Sequence, residues 1–325
     1  MGTPWWGVTA RSRIDPHPTC SQARRQVKTR DTAVRVVEGL AGGVRIALTS
    51  DIHVDMAGPA VTEALCAQLR RLVPDVAIVA GDVATPVPMW RETMEALRAC
   101  VPRLVVVAGN HDVWRTPEEA EAQVGSWDKL DRYLPEAARA AGVDLLDTGP
   151  VEIDGVGFVG TMGWFDYSTR DPLLDADLEA YRTGRWRGLR WNDHRHAAWR
   201  RPDGTPQQDG EVAAVLRDRL RAQLRDTRAR RVVAVTHVLP FAEQVVQRPL
   251  EGWQYANAFM GCLGLGEVLR GAPRLVLAVA GHTHRGSDLR IGRLRARVSP
   301  LGHPREWRGD TPSEAVANAV SVLDV

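Results

Sequence analysis

The chain of 325 residues is 44% hydrophobic and 25% charged, which excludes disordered and collagen-like classes and suits one globular α/β core with insertions. Its net charge of +2 is carried almost wholly by arginine, because Lys28 and Lys129 are the only lysines, so no global field for nucleic acid is implied. Cys20, Cys66, Cys100 and Cys262 form no C-x-x-C pair, which argues against a zinc knuckle or a disulfide framework and fits a reducing, cytoplasmic setting.

Residues 1–32 show no hydrophobic period, carry many arginines and read as a mobile arm. Trp5 and Trp6 are followed by Arg11, Arg13 and Asp15, so no signal-peptide core forms, and no stretch reaches the ~18 apolar residues of a membrane span. Strands are expected over 34–40 and 44–49 around an Ala41-Gly42-Gly43 turn, the second ending at Ser50-Asp51-Ile52-His53. A helix over 59–72 sets Val61, Leu65, Leu69 and Leu72 on one stripe and precedes a buried strand, Val76–Ala80, that stops at Gly81-Asp82. The unit recurs as a helix over 89–100, a strand over 104–108 and then Gly109-Asn110-His111-Asp112, the βαβ pattern.

Downstream, Val151–Ile153 and 156–160 flank Asp154-Gly155 as a hairpin. Residues 164–210 break every period yet hold Trp164, Phe165, Tyr167, Tyr181, Trp186, Trp191 and Trp199, too aromatic for a plain linker. A helix over 211–229 aligns Val212, Leu216, Leu220 and Leu224, and strands over 232–236 and Leu275–Ala280 deliver His237 and Gly281-His282-Thr283-His284. From Asp288 onward, short alternating segments such as Leu294–Val298 suggest antiparallel strands closing a second sheet.

Polar residues thus collect just past strands that read as buried, where a rigid sheet lets loop side chains converge. Imidazole nitrogen, carboxylate oxygen and one amide oxygen, with no thiolate, suit manganese, iron, zinc, cobalt or nickel and disfavour structural zinc or calcium. Singly, Asp51 reads equally well as a helix cap, Asp82 and Asn110 as turn residues, and His237 as a core histidine. The weight lies in the joint order of the blocks.

Asp51-Ile52-His53, Gly81-Asp82, Gly109-Asn110-His111-Asp112, His237 and Gly281-His282-Thr283-His284 together resemble the five-block signature of calcineurin-like metallophosphoesterases. The resemblance implies a four-layer α-β-β-α sandwich of two packed mixed sheets flanked by helices, with 33–325 as one domain and 164–210 as a cap. It implies one metal ion at Asp51, His53, Asp82 and His284, and a second at Asp82, Asn110, His237 and His282. Asp82 would bridge the two, and a hydroxide shared by the metals would be the nucleophile. His111 would stand beside the leaving-group oxygen; Asp112 has no partner that the sequence identifies.

The protein serine/threonine phosphatases of this superfamily resemble G-D-x-V-D-R-G, whereas here Asp82 is followed by Val83, Ala84 and Thr85, with Thr85 at the position of that branch's carboxylate. A small anionic phosphomonoester or phosphodiester, such as a nucleotide or cyclic nucleotide, is therefore expected over a phosphoprotein. A DNA or RNA nuclease is the alternative, disfavoured by the low net charge and the lack of a long basic extension. A non-catalytic scaffold comes last, because every ligand position and His111 are filled.

Between Arg182 and Arg201 stand seven arginines and one acidic residue, Asp193, interleaved with Trp186, Trp191 and Trp199. As a cap, this segment offers Trp186, Arg190, Trp191 and His194 as substrate contacts, through stacking and anion attraction. The competing reading packs the tryptophans into a satellite core, solvates the arginines and leaves His194 and His196 on the surface. Neither a particular metal pair nor an oligomeric state follows from the sequence.

Overall fold

A computed structural model describes residues 43–325. The arm expected over 1–32 and the strand expected over 34–40 lie outside the described residues.

Two mixed sheets form the centre. The first takes β1 (Arg45–Thr49), β2 (Val76–Ala80), β3 (Arg103–Val107) and β4 (Asp144–Leu145) in parallel. The second contains β5 (Val151–Ile153) and β6 (Val156–Thr161), while β7 (Arg185–Trp186) and β8 (Leu189–Arg190) make a separate small hairpin. The rest of the second sheet is β9 (Arg231–Thr236), β10 (Leu275–Ala280), β11 (Ser287–Ile291) and β12 (Leu294–Val298), in the order β11-β12-β10-β9-β6-β5. The tail departs from expectation in two ways: β12 pairs parallel with β10 as well as antiparallel with β11, and β13 (Ser321–Asp324) returns to the first sheet as the antiparallel neighbour of β1.

Strand alternation explains the layering. Ile46 and Leu48, Ile78, Val105 and Val107 meet Phe158, Val233, Val235, Leu277 and Val279 in one core between the sheets. Their sequence neighbours Ala47, Val79, Val106, Ala234 and Ala278 turn outward into a second core roofed by helices. With both faces covered, the central strands read as unbroken apolar runs.

The helices follow from period and ends. Val87–Arg98 has Pro86 at its N-cap and Pro88 in its first turn and buries Trp90, Thr93, Met94 and Leu97, one stripe of a 3.6-residue period. Ala60–Leu72 buries Val61, Leu65 and Leu69 and ends in Arg70 and Arg71, whose charge suits the helix C-terminus. Asp209–Asp226 begins two residues before the expected start, where Glu211 accepts a hydrogen bond from the Gln208 amide, and stops before 229 because the chain must extend into β9. Among the described residues, no helix is long and apolar enough to cross a membrane.

Candidate metal centre

The carboxyl ends of β1, β2, β3, β9 and β10 lie side by side, and each feeds a short loop carrying the expected residues. Asp51, His53, Asp82, His282 and His284 all hold left-handed backbone conformations, with φ between 46° and 69°. Such conformations cost on the order of 1–3 kcal/mol each and persist where surrounding structure enforces them, commonly at functional sites. Glycine makes the approach of the loops possible: a Cβ on Gly109 would stand 2.1 Å from Asp82 Oδ1, and one on Gly81 2.5 Å from His237 Nδ1.

The side chains converge. Donor atoms of Asp51, His53, Asp82 and His284 all lie within 4.8 Å of one another, as do those of Asp82, His237 and His282, and each group can hold a metal ion. Asp82 belongs to both: its Oδ2 stands 3.6 Å from His53 Nε2 and 3.3 Å from His237 Nε2. Asn110 Oδ1 lies 2.8 Å from His237 Nε2, and the Nε2 atoms of His53 and His284 face each other at 3.0 Å. Two buried imidazole nitrogens at that separation suit ligation of a shared cation, since only one could donate a proton to the other.

Hydrogen bonds on the far ring nitrogens orient three of the imidazoles. His237 Nδ1 donates to the Ala80 carbonyl at 2.8 Å, His282 Nε2 donates to the Phe259 carbonyl at 3.0 Å, and His284 Nδ1 donates to Glu306 at 2.7 Å. In each ring the opposite nitrogen is then left with its lone pair for the cluster, the arrangement a metal-binding histidine needs. The donor set therefore fits a borderline divalent cation.

The electrostatics agree. Burial opposes charge on His237, yet the Asp82 carboxylate outweighs it and raises the imidazole to about 10. Burial likewise pushes Asp82 up, but the charged His237 beside it holds its carboxyl well below the usual range. A cation placed among these groups competes with the protons that Asp82 favours on its neighbours. His53 and His282 are driven down by burial, the latter to about 3, and are neutral, as ligation requires.

Asp112, without an identified partner in the sequence, is a brace. Its buried carboxylate accepts from the amides of Asp82 at 3.1 Å, Val83 at 2.8 Å, Ala84 at 3.0 Å and Gly109 at 2.7 Å, tying the loop after β2 to the loop after β3. Burial and the nearby Asp82 raise its pKa to about 7. His111, whose amide donates to Asp82 Oδ1 at 2.8 Å, stacks on Trp114 with centroids 3.6 Å apart. Its Nδ1 is buried without a hydrogen-bond partner among the described residues.

The aromatic side chains of the insertion pack inward, although much of its remaining length is exposed. Trp164, Phe165, Tyr167, Tyr181, Trp191 and Trp199 are buried in a satellite extension of the outer core, as the packing reading expects. Trp186 stacks on Tyr255, Arg190 is exposed, and Trp191 stacks on Phe259. His194 and His196 are half-buried rather than on the surface: His194 bonds Asp209 at 3.0 Å, and His196 stacks on Trp114. A cavity of about 680 Å³ opens among Arg115, Trp164, Tyr167, Arg182, His194 and Asp209.

Asp193 links this segment to the cluster. Its buried carboxylate accepts from Asn110 Nδ2 at 2.8 Å, from Trp114 Nε1 at 2.6 Å and from Trp191 Nε1. Holding the amide nitrogen fixes which face of Asn110 presents oxygen to His237. Asp193→Ala is accordingly expected to weaken binding of one ion by about 10- to 100-fold, the usual loss when a ligand's orienting partner goes. Calorimetric titration of the demetallated variant checks this, and wild-type affinity at both sites contradicts it.

Asp193, Glu306 and Lys129 support the cluster from outside the five sequence blocks. Lys129 Nζ is buried and donates to the carbonyls of Thr85 and Trp114 and to Glu119, clamping the segments after β2 and β3. Its signal was available: it is one of two lysines in an arginine-rich chain.

Comparison with known proteins places this geometry. The family model for calcineurin-like phosphoesterases matches residues 44–286. Among solved structures, a phosphopantetheinyl hydrolase from Mycobacterium tuberculosis aligns at TM-score 0.68 with 20% identity, covering 87% of this chain and 97% of that one. A protein from Thermus thermophilus aligns at TM-score 0.48 with 14% identity, covering 87% and 99%, and a dimetal phosphatase from Danio rerio at 0.44 with 15% identity, covering 78% and 86%. A search of curated proteins gives no match.

Proposed function

Because the chain belongs to the calcineurin-like phosphoesterase family, we propose that it is a two-metal hydrolase of a small phosphomonoester or phosphodiester, with nucleotides and cyclic nucleotides as first candidates. The observation that carries the reading is the convergence of Asp51, His53, Asp82, Asn110, His237, His282 and His284 from five loops into two groups that share Asp82. Asp51, His53, Asp82 and His284 would hold one ion, and Asp82, Asn110, His237 and His282 the other. Two such ions supply charge neutralisation of the phosphate and activation of water near neutral pH.

The chain's own groups do the rest. Asp112 fixes the loop geometry, Asp193 and Glu306 orient Asn110 and His284, and His111 presents an uncharged imidazole to the leaving-group oxygen. Burial drives His111 to about 3, with His303 and His284 adding to the effect against the pull of Asp82, so its contribution is an N–H hydrogen bond to developing negative charge.

The test is turnover by purified protein, stripped with chelator and reconstituted with manganese, iron, zinc, cobalt or nickel. The substrate panel holds monoesters, diesters, nucleotides and cyclic nucleotides; the fold neighbour adds a phosphopantetheinyl substrate to it. Activity is expected to vanish with chelator and return with metal, and full turnover by a thoroughly demetallated sample overturns the reading. Nucleic acid as substrate would instead appear as binding that weakens steeply with salt.

A further inference from the structure

We propose that His303, which lies outside the five sequence blocks, is an additional metal ligand, directed at the ion assigned to Asp51, His53, Asp82 and His284. The inference rests on the two-ion reading above and adds a residue to it.

The loop after β12 is built against the cluster. Leu301 and Gly302 donate their amides to the carbonyls of Ser50 at 2.9 Å and Asp51 at 3.0 Å, so the backbone runs directly beside the first block. Gly302 turns through φ +75°, and a Cβ there would meet Glu306 Oε2 at 3.1 Å. Pro304 follows, which confines His303 to the extended conformation it holds at φ −69°, ψ 154°. Glu306 closes the loop: its Oε2 accepts from the His303 amide at 3.0 Å and from His284 Nδ1 at 2.7 Å. One carboxylate thus positions an assigned ligand and the backbone of His303 together.

The ring arrives where a ligand would. Its centroid is 4.5 Å from that of His53 and 4.7 Å from that of His284, against 6.4 Å from His111. Donor atoms of His53, His284 and His303 lie within 4.8 Å of one another, a group that can hold a cation and shares two of its three members with the four-residue group. His303 Nδ1 is buried and has no hydrogen-bond partner among the described residues, although buried polar atoms normally find one. A cation held at the His53–His284 pair would give the His303 ring a partner. A third imidazole also shifts the donor set toward nitrogen, which favours cobalt, nickel or zinc over manganese.

The experiment titrates Co²⁺ and Mn²⁺ calorimetrically into demetallated wild type, His303→Ala and His303→Gln, and records the visible Co²⁺ spectrum of each. Circular dichroism reports folding, and the Gln variant, which keeps side-chain volume, decides the matter if the Ala variant is misfolded. One of the two ions is expected to bind more than about 100-fold more weakly in the variants, beyond the range for loss of a mere orienting group. The Co²⁺ bands should shift, and the loss should be larger for Co²⁺ than for Mn²⁺. Folded variants with wild-type affinities and an unchanged Co²⁺ spectrum overturn the proposal while leaving the two-ion reading intact. Wild-type metal binding with weakened binding of inorganic phosphate makes His303 a substrate contact, and also overturns it. A wild type that takes up no metal at all overturns both.

Discussion

Asp82→Ala is expected to release both metal ions and to lower kcat/KM on a phosphate ester by at least ~10³-fold, above the usual cost of one lost electrostatic donor. The reason is positional. Asp82 is the one residue in both donor groups, and its Oδ2 faces His53 and His237 at 3.6 and 3.3 Å. Its removal leaves each group short of its shared anionic ligand at once, and the His111 amide loses its acceptor. His53→Ala, by contrast, deletes a neutral donor from one group and should release a single ion. Elemental analysis of the two variants beside wild type separates the cases. Equal loss of one ion from each would remove the bridging role.

The second large effect falls on His111. His111→Ala is expected to keep both ions and to lose about 10²-fold or more on an alkyl phosphate ester, within the range for proton or hydrogen-bond donation at a leaving group. The same variant should lose far less on a p-nitrophenyl ester, whose phenolate is already a stable anion. An alkoxide is strongly basic and depends on the donor. Both esters must be compared on one preparation, with chemistry limiting the rate. An equal fold-loss on the two, or a missing ion, makes His111 a positioning group or a ligand.

Legibility in the sequence followed the sheets. Residues at strand ends could be named because a strand buried on both faces reads as an unbroken apolar run, and Asp51, Asp82, Asn110, His237 and His282 stand within three residues of such a run. Val76–Ala80 and Leu275–Ala280 were readable to the residue for the same cause. What the sequence concealed reaches the cluster by tertiary packing. Asp193 comes from a segment without period, and its partners Asn110 and Trp114 lie 83 and 79 residues away. Glu306 sits in a short turn whose composition suggests only a turn. The pairing of β13 with β1 was equally hidden, because strand register between distant segments depends on which edge is left open.

The two donor groups draw on positions from 51 to 284, and only Asp51 with His53 and His282 with His284 are near neighbours in the chain. An unfolded chain therefore offers an ion isolated pairs, while the folded sheets offer the full set. By linkage, an ion that binds the native state alone contributes RT ln(1 + [M]/Kd) to its stability, about 2.7 kcal/mol when free metal is a hundred times the dissociation constant. On the two-ion reading, metal supply would then govern how much folded protein survives as well as how fast it turns over. Starved of metal, the chain would lose that contribution and be more exposed to unfolding and proteolysis.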